Sequence, residues 1–550
     1  MNKILSINWT KCLSSPSTAC GRRIEVVEGP EGAGGGVRLL YNRQIITKEI
    51  KMAIQTAAEW RKSKIKEDQI AKYLNPDGSD FINDAQIEQK IASHVNPDKG
   101  RIREILQKSL SIATLDPDET AMLLNVRDPD LWSEMESTAS LIKKKVYDNR
   151  IVTFAPLYLS TTCVNNCAYC GLRAENESIK RGVLTIEQVQ QEIEVLAGTI
   201  GHKRLIVVYG EHPRSDVDYM AETLQAIYDV KVPTKTGGYG AIRRVNVNGA
   251  PLSVEDFHRL NQVGIGTYQI FQETYHKATY AKMHPKNTLK GHYHWRLYAM
   301  HRALEAGIDD VGIGALFGLY DWKFEVMALL AHAWELENKF GIGPHTISFP
   351  RIEPAENTSF AETSSYTVSD ADIRKIITVI RLSVPYTGMI LTAREDAAMR
   401  KSLIPLGITQ TDASSKVGLG AYHDYANPDQ VSERQQFILG DTRSLDEVVR
   451  ELGKLGYITS FCTAGYRCGR TGQCIMDLLR TGAEGKFCKL NAVITYREWL
   501  DDFASEETKV IGEPIIQREI EEIRQKMPSF YDTFIEQYNR TAKGERDIYF

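Results

Sequence analysis

Apolar positions recur at spacings of three and four through residues 80 to 148, in NDAQIEQKIASHV, RIREILQKSLSIA and DLWSEMESTASLIKKKVY, with an NPDKG break and a DPDE start signal between them. That period draws an apolar stripe along a helix and predicts a helical lead-in. From residue 151 the pattern changes to short apolar runs alternating with amphipathic stretches. The runs are IVTFAPLYLS from 151, RLIVVYG from 204, RRVNVNG from 243, TYQIFQE from 267, DDVGIGALFG from 309, HTISFP from 345, GMILTARE from 388 and ITQTDA from 408. Between them TIEQVQQEIEVLAGTI, VDYMAETLQAIY, KFEVMALLAHAWELE and DADIRKIITVIRLS carry the helical period. Eight alternations of strand and helix predict an α/β fold, a TIM-type (β/α)8 barrel with helical N-terminal and C-terminal extensions. In such a barrel the chemistry gathers at the C-terminal ends of the strands.

The first predicted strand runs into LYLSTTCVNNCAYCGLR, residues 157 to 173, where Cys163, Cys167 and Cys170 stand at C-x3-C-x2-C spacing. A structural zinc takes four ligands, and with no fourth Cys or His nearby a zinc site would need a distant partner. An iron–sulfur cubane tolerates three thiolates and keeps one iron open to a small molecule, which is a catalytic arrangement. The chain has nine cysteines, and seven of them fall in two tight groups, 163 to 170 and 462 to 488. That distribution fits metal centres in a reducing compartment rather than a disulfide framework. Lys+Arg 67 against Asp+Glu 71 leaves a formal charge of -4, which implies no nucleic-acid surface. No apolar run approaches the ~20 residues of a membrane span. At 550 residues the chain is long enough for two or three structural units.

The other predicted strand ends carry polar residues: Gly210 and Glu211, then Arg243 and Arg244 with Asn246 and Asn248, the run Gln272 to His276, and the run Thr392 to Glu395. Buried polar groups at a barrel mouth need partners, and a cofactor with a zwitterionic substrate would supply them. Taken singly, each also fits a solvated loop or a structural ion pair. Glu211 follows an apolar strand and is placed to meet an ammonium group, while Arg394 suits a bidentate grip on a carboxylate.

The first 24 residues contain no Asp or Glu but carry Lys3, Lys11, Arg22, Arg23 and several Ser and Thr, which reads as an organellar transit peptide, with a disordered basic tail as the alternative. GPEGAGGG, residues 29 to 36, reads as a flexible linker.

The cysteine stretch resembles the signature of the radical S-adenosylmethionine enzymes, with Tyr169 in the aromatic place before the third cysteine. The resemblance implies a 4Fe-4S cluster on the three thiolates and S-adenosyl-L-methionine on the open iron. Farther along, GHKRL, IRRVNVN, GTYQIFQETYH, DDVGIGALFGLYDW, GPHTISFPRI, VPYTGMIL and GRTG resemble the HydG family, radical tyrosine lyases of FeFe-hydrogenase maturation. The likeness runs from about residue 80 to about residue 515, and ThiH, the 2-iminoacetate synthase of thiamine synthesis, is a more distant relative.

This resemblance implies cleavage of the tyrosine Cα–Cβ bond to p-cresol and dehydroglycine. It also implies a one-electron reductant such as ferredoxin or flavodoxin, other hydrogenase maturation proteins as partners, and a hydrogenosome, mitochondrion or plastid as the location, otherwise the cytoplasm. The candidate cofactor contacts are Tyr169, Gly210, Glu211, Arg244, Asn246 and Glu273. The candidate substrate contacts are Thr392, Arg394, Tyr275 and His276, with Cys163, Cys167, Cys170 and Arg394 as the catalytic set.

In the family a C-terminal C-x2-C-x22-C holds a second iron–sulfur cluster, where carbon monoxide and cyanide form. This chain has Cys462 and Cys488 at the first and third of those positions but Gly465 at the second. Cys468 or Cys474 could substitute, or could be an ordinary buried cysteine. His332 matches a histidine near the extra iron, or is a satisfied histidine on a buried helix. The expected organisation is a transit peptide and linker at 1–37, a helical region at 38–150, the radical barrel at 151–415, and a C-terminal region with a degenerate cluster motif at 416–550.

Overall fold

The computed structural model describes residues 57–423, 435–481 and 484–550, so the expected transit peptide and glycine-rich linker lie outside the described residues. The lead-in is helical because its start signals are used. Asn83 caps the helix Asp84–Ser93, Asp98 caps Lys99–Leu110, and Asp116 with Glu119 forms a reciprocal capping box on Pro117–Leu124. The long helix Pro129–Tyr147 follows, and its apolar stripe packs against the helix Asp370–Ser383 on the outside of the barrel.

Eight parallel strands form the barrel: β1 (Arg150–Ser160), β2 (Arg204–Tyr209), β3 (Arg244–Asn248), β4 (Tyr268–Glu273), β5 (Val311–Ala315), β6 (Thr346–Ser348), β7 (Gly388–Leu391) and β8 (Gln410–Asp412). Each pairs with the next, and Val152 opposite Gln410 closes the ring between β1 and β8. Seven of the eight lie within the expected runs and β1 starts one residue early, at Arg150; most are shorter than expected, because the run ends turn into loops at the barrel rim. The helix expected over 185–200 is α-helical only through Ile186–Ile193 and widens into a π-helical turn at Glu194–Ile200, stopped by Gly201 at φ 88°.

A ninth strand, β9 (Ile458–Ser460), adds to the first residues of β1, pairing Arg150 with Ile458 and Val152 with Ser460. It therefore brings the C-terminal cysteine segment to the N-terminal end of the barrel, opposite the mouth. Helices Gly472–Thr481, Glu484–Asp502, Glu506–Lys526 and Pro528–Ala542 complete the C-terminal region. Inside the ring, Phe154, Ile206 and Ile390 pack together at mid-height. No helix among the described residues is long and apolar enough to cross a membrane.

Candidate active site

The barrel mouth encloses a cavity of about 240 Å³ whose walls include Cys163, Cys167, Cys170, Tyr169, Gly210, Glu211, Glu273, Thr392 and Arg394. The cysteine loop leaves β1 and is pinned by backbone bonds: Val164 N donates to Glu211 O at 2.9 Å, Ala168 N to Met283 O at 3.1 Å, and Ala174 N to Asn165 O at 2.8 Å. Gly210 is required by close approach, since a Cβ there would stand 2.1 Å from Thr162 O.

Burial pushes the Cys163 thiol up and the Cys167 thiol up to about 12, with the neighbouring thiols adding to the rise and the Lys290 ammonium opposing it at Cys167. A metal cation beside these thiols would favour their thiolate form, and three thiols lining one cavity fit an iron–sulfur cluster. Asn165 Nδ2 donates to Cys163 Sγ at 3.6 Å and to a Glu211 carboxylate oxygen. Burial raises the Glu211 carboxyl, while Arg296, Asn165 and Lys290 oppose that rise.

Glu273 sits at φ 71°, in the left-handed region, where β4 breaks register with β5. A non-glycine residue holds such a conformation only when its surroundings impose it. Here Lys290 Nζ lies 2.6 Å and Arg296 Nη2 3.3 Å from Glu273 Oε1, and although burial works against ionisation these two cations hold the carboxyl below its usual range. Tyr169 OH is 2.9 Å from His284 Nε2. The Arg394 guanidinium stacks 3.4 Å over the Phe437 ring, and its Nη1 donates to Arg351 O at 3.4 Å. Glu395, beside it, is turned away into an ion pair with Arg351.

Four expected contacts are not brought to this cavity. Arg244 begins β3 at the far end of the barrel, where it donates to Gly264 O and stacks 4.5 Å from the Tyr466 ring. Asn246 accepts from Thr267 N at 3.1 Å within the wall, and Asn248, one pleat higher, reaches the cavity instead. Beyond Glu273 the chain turns outward. Tyr275 is buried with its hydroxyl 2.8 Å from His332 Nδ1, and His276 caps the helix Lys277–Met283 and stacks at 3.8 Å on Tyr320.

A second, smaller cavity of about 80 Å³ lies at the N-terminal end of the barrel and is walled by Cys462, Cys488, Gly465, His345 and Asp310 among others. The buried thiols of Cys462 and Cys488 both face it. Cys468 does not, because its Sγ is 3.7 Å from Phe550 O. His332 is likewise elsewhere, among Phe81, Tyr275 and His301, where burial lowers its pKa to about 3 and keeps it neutral. His345, just before β6, lines this cavity. A cluster with three protein thiolates does not fit this cavity, which offers two thiols and a glycine. A Cβ at 465 would meet only Arg470 O at 3.6 Å, so packing does not forbid a side chain there.

Sequence reasoning missed Lys290, Arg296, Gln436 and Phe437, which line the mouth cavity from loops and helices without periodic signature. Asn165 was available inside the cysteine motif itself.

A parallel barrel with a C-x3-C-x2-C loop at its mouth, above a buried carboxylate and an arginine, defines a radical S-adenosylmethionine enzyme. Residues 157–331 match the Radical SAM superfamily, and residues 348–458 match the Biotin and Thiamin Synthesis associated domain. A solved HydG, described as a maturase of the [FeFe]-hydrogenase, is 46% identical with a TM-score of 0.81 over 86% of this chain and 100% of that one. HydG from Carboxydothermus hydrogenoformans is 35% identical with a TM-score of 0.69, covering 87% of this chain and 99% of that one. The 2-iminoacetate synthase of Salmonella typhimurium is 30% identical over 359 residues, 65% of this chain and 89% of that protein. The chain belongs to the HydG family of radical S-adenosylmethionine enzymes.

Proposed function

We propose that this chain is a radical S-adenosylmethionine carbon–carbon lyase that splits the Cα–Cβ bond of tyrosine, giving p-cresol and dehydroglycine. The observation that carries the reading is one cavity in which three thiols are flanked by Glu211 after β2 and by Thr392 and Arg394 after β7. Cys163, Cys167 and Cys170 would hold a 4Fe-4S cluster, with Glu211 and Tyr169 beside the amino acid part of S-adenosyl-L-methionine. When bound, that pair supplies a 5′-deoxyadenosyl radical able to take hydrogen from the tyrosine amino group.

The chain's own residues bind and orient. Arg394, held flat against Phe437, presents its guanidinium to the tyrosine carboxylate, and Thr392 adds a hydroxyl on the same side. Phe154, Ile206 and Ile390 close the floor and keep water from the reacting atoms. Replacing any one of Cys163, Cys167 or Cys170 by Ala is expected to abolish both S-adenosyl-L-methionine cleavage and p-cresol formation. Cleavage that persists in all three variants would overturn the reading.

Gly465 favours a second, narrower form of the same function, in which the reaction ends at dehydroglycine, the product named for the 2-iminoacetate synthases, without carbon monoxide or cyanide. In the tyrosine-lyase reading a ferredoxin or flavodoxin delivers the electron, and other hydrogenase maturation proteins are partners. The acid-free, basic residues 1–24 support import into a hydrogenosome, mitochondrion or plastid. A reporter fused to them that stays in the cytosol would count against import.

A further inference from the structure

Residues 435–441 lie across the barrel mouth, with Gln435 bridged to Gly418 beyond β8. Gly440 N and Asp441 N donate to Ala393 O at 2.8 and 3.1 Å, and Ile438 N donates to Pro354 O at 3.3 Å. On the other side this segment meets the cysteine loop at Gly171, where a Cβ would stand 2.9 Å from Gln436 O. A glycine directly after the third cysteine is thus what lets the two backbones touch. From there Gln436 Nε2 donates to Cys170 Sγ at 3.7 Å, and Gln436 Oε1 accepts from Tyr158 OH at 2.6 Å. A metal-bound thiolate only accepts and an amide nitrogen only donates, so the phenol on the amide oxygen fixes the orientation that aims N–H at sulfur.

We propose that Gln436 is a positioning residue that sets the reduction potential of the cluster through this N–H···S hydrogen bond to Cys170. The inference rests on the cluster assignment above. One-electron reduction makes the cluster and its sulfur ligands more negative, so a donor on the sulfur favours the reduced form and raises the potential. Tyr158 acts one step back, by holding the amide.

The test is a redox titration followed by electron paramagnetic resonance, with iron and sulfide counts, on the reconstituted full chain and on Gln436→Met, Gln436→Glu and Tyr158→Phe. The expected result is unchanged iron and sulfide, with the midpoint lower in Gln436→Met, lower again in Gln436→Glu, and shifted less in Tyr158→Phe. S-adenosyl-L-methionine cleavage by Gln436→Met should slow with a weak reductant and recover with a stronger one. Unchanged midpoints in both Gln436 variants at full iron content would overturn the inference, and so would loss of iron from both, which would make Gln436 a structural support. A parent chain that binds no cluster would instead overturn the cluster assignment itself, so the two failures are distinct.

Discussion

At position 465 a glycine faces a cavity that already holds the thiols of Cys462 and Cys488, and the nearest atom to an added Cβ is an ordinary contact at 3.6 Å. Gly465→Cys should therefore fold normally and complete a three-thiolate set. We expect iron per chain to rise from one cluster's content to two, a second set of paramagnetic resonance signals, and carbon monoxide release absent from the parent. A parent that already carries two clusters would show that the missing thiolate has been replaced. Residues following a predicted strand, such as Glu211, Thr392 and Arg394, were legible in the sequence because the barrel places every strand's end at one rim. Arg244 and Asn246 were misplaced for a physical reason: alternation along RRVNVNG tells which face a side chain takes but not its height on the barrel axis. Gln436 was not legible at all, since its contact with Cys170 spans 266 residues.

Among the elements, the helix Trp322–Phe340 is tied to the end of β4 by a buried carboxyl. Glu325, in its first turn, accepts from Thr274 Oγ1 and, at 2.9 Å, from Tyr275 N. Burial raises Glu325 from 4.5 to about 8, so the folded protein keeps it protonated at neutral pH. Because the folded pKa lies above the unfolded one, the unfolded chain releases this proton first, and stability is lost as pH rises from 4.5 toward 8. The loss is on the order of 5 kcal/mol at most, at 1.36 kcal/mol per pKa unit. Denaturant titrations between those limits should show Glu325→Gln with a flatter pH dependence than the parent, and equal slopes would refute the role. The helix was legible from its period and its Asp321 cap. The carboxyl was not, because it stands on an apolar face where periodicity predicts only packing.

At the scale of the whole molecule, the C-terminal helices are fastened to the barrel by charges buried at its N-terminal end. Glu498 on the helix Glu484–Asp502 pairs with Lys203 at 3.2 Å and with Arg243, and Arg243 Nε lies 2.9 Å from Asp547. Burial alone would raise the Glu498 carboxyl, but Arg243 and Lys203 hold it at about 2. Glu498→Gln leaves two buried cations short of a partner and should cost about 3 to 5 kcal/mol in denaturant unfolding at neutral pH. The eight-strand barrel was legible because short strand-like runs, apolar or alternating, recur between helical periods. The docking of β9 onto β1 was not, because three residues carry no period.

The central claim, that the mouth cavity performs radical cleavage of tyrosine, is tested most directly by anaerobic quantification of p-cresol. The full chain would be reconstituted with iron and sulfide, reduced, and given tyrosine and S-adenosyl-L-methionine. The account predicts p-cresol in step with 5′-deoxyadenosine, whether or not carbon monoxide appears. Protein that holds its cluster and cleaves S-adenosyl-L-methionine, yet releases no p-cresol, would contradict it.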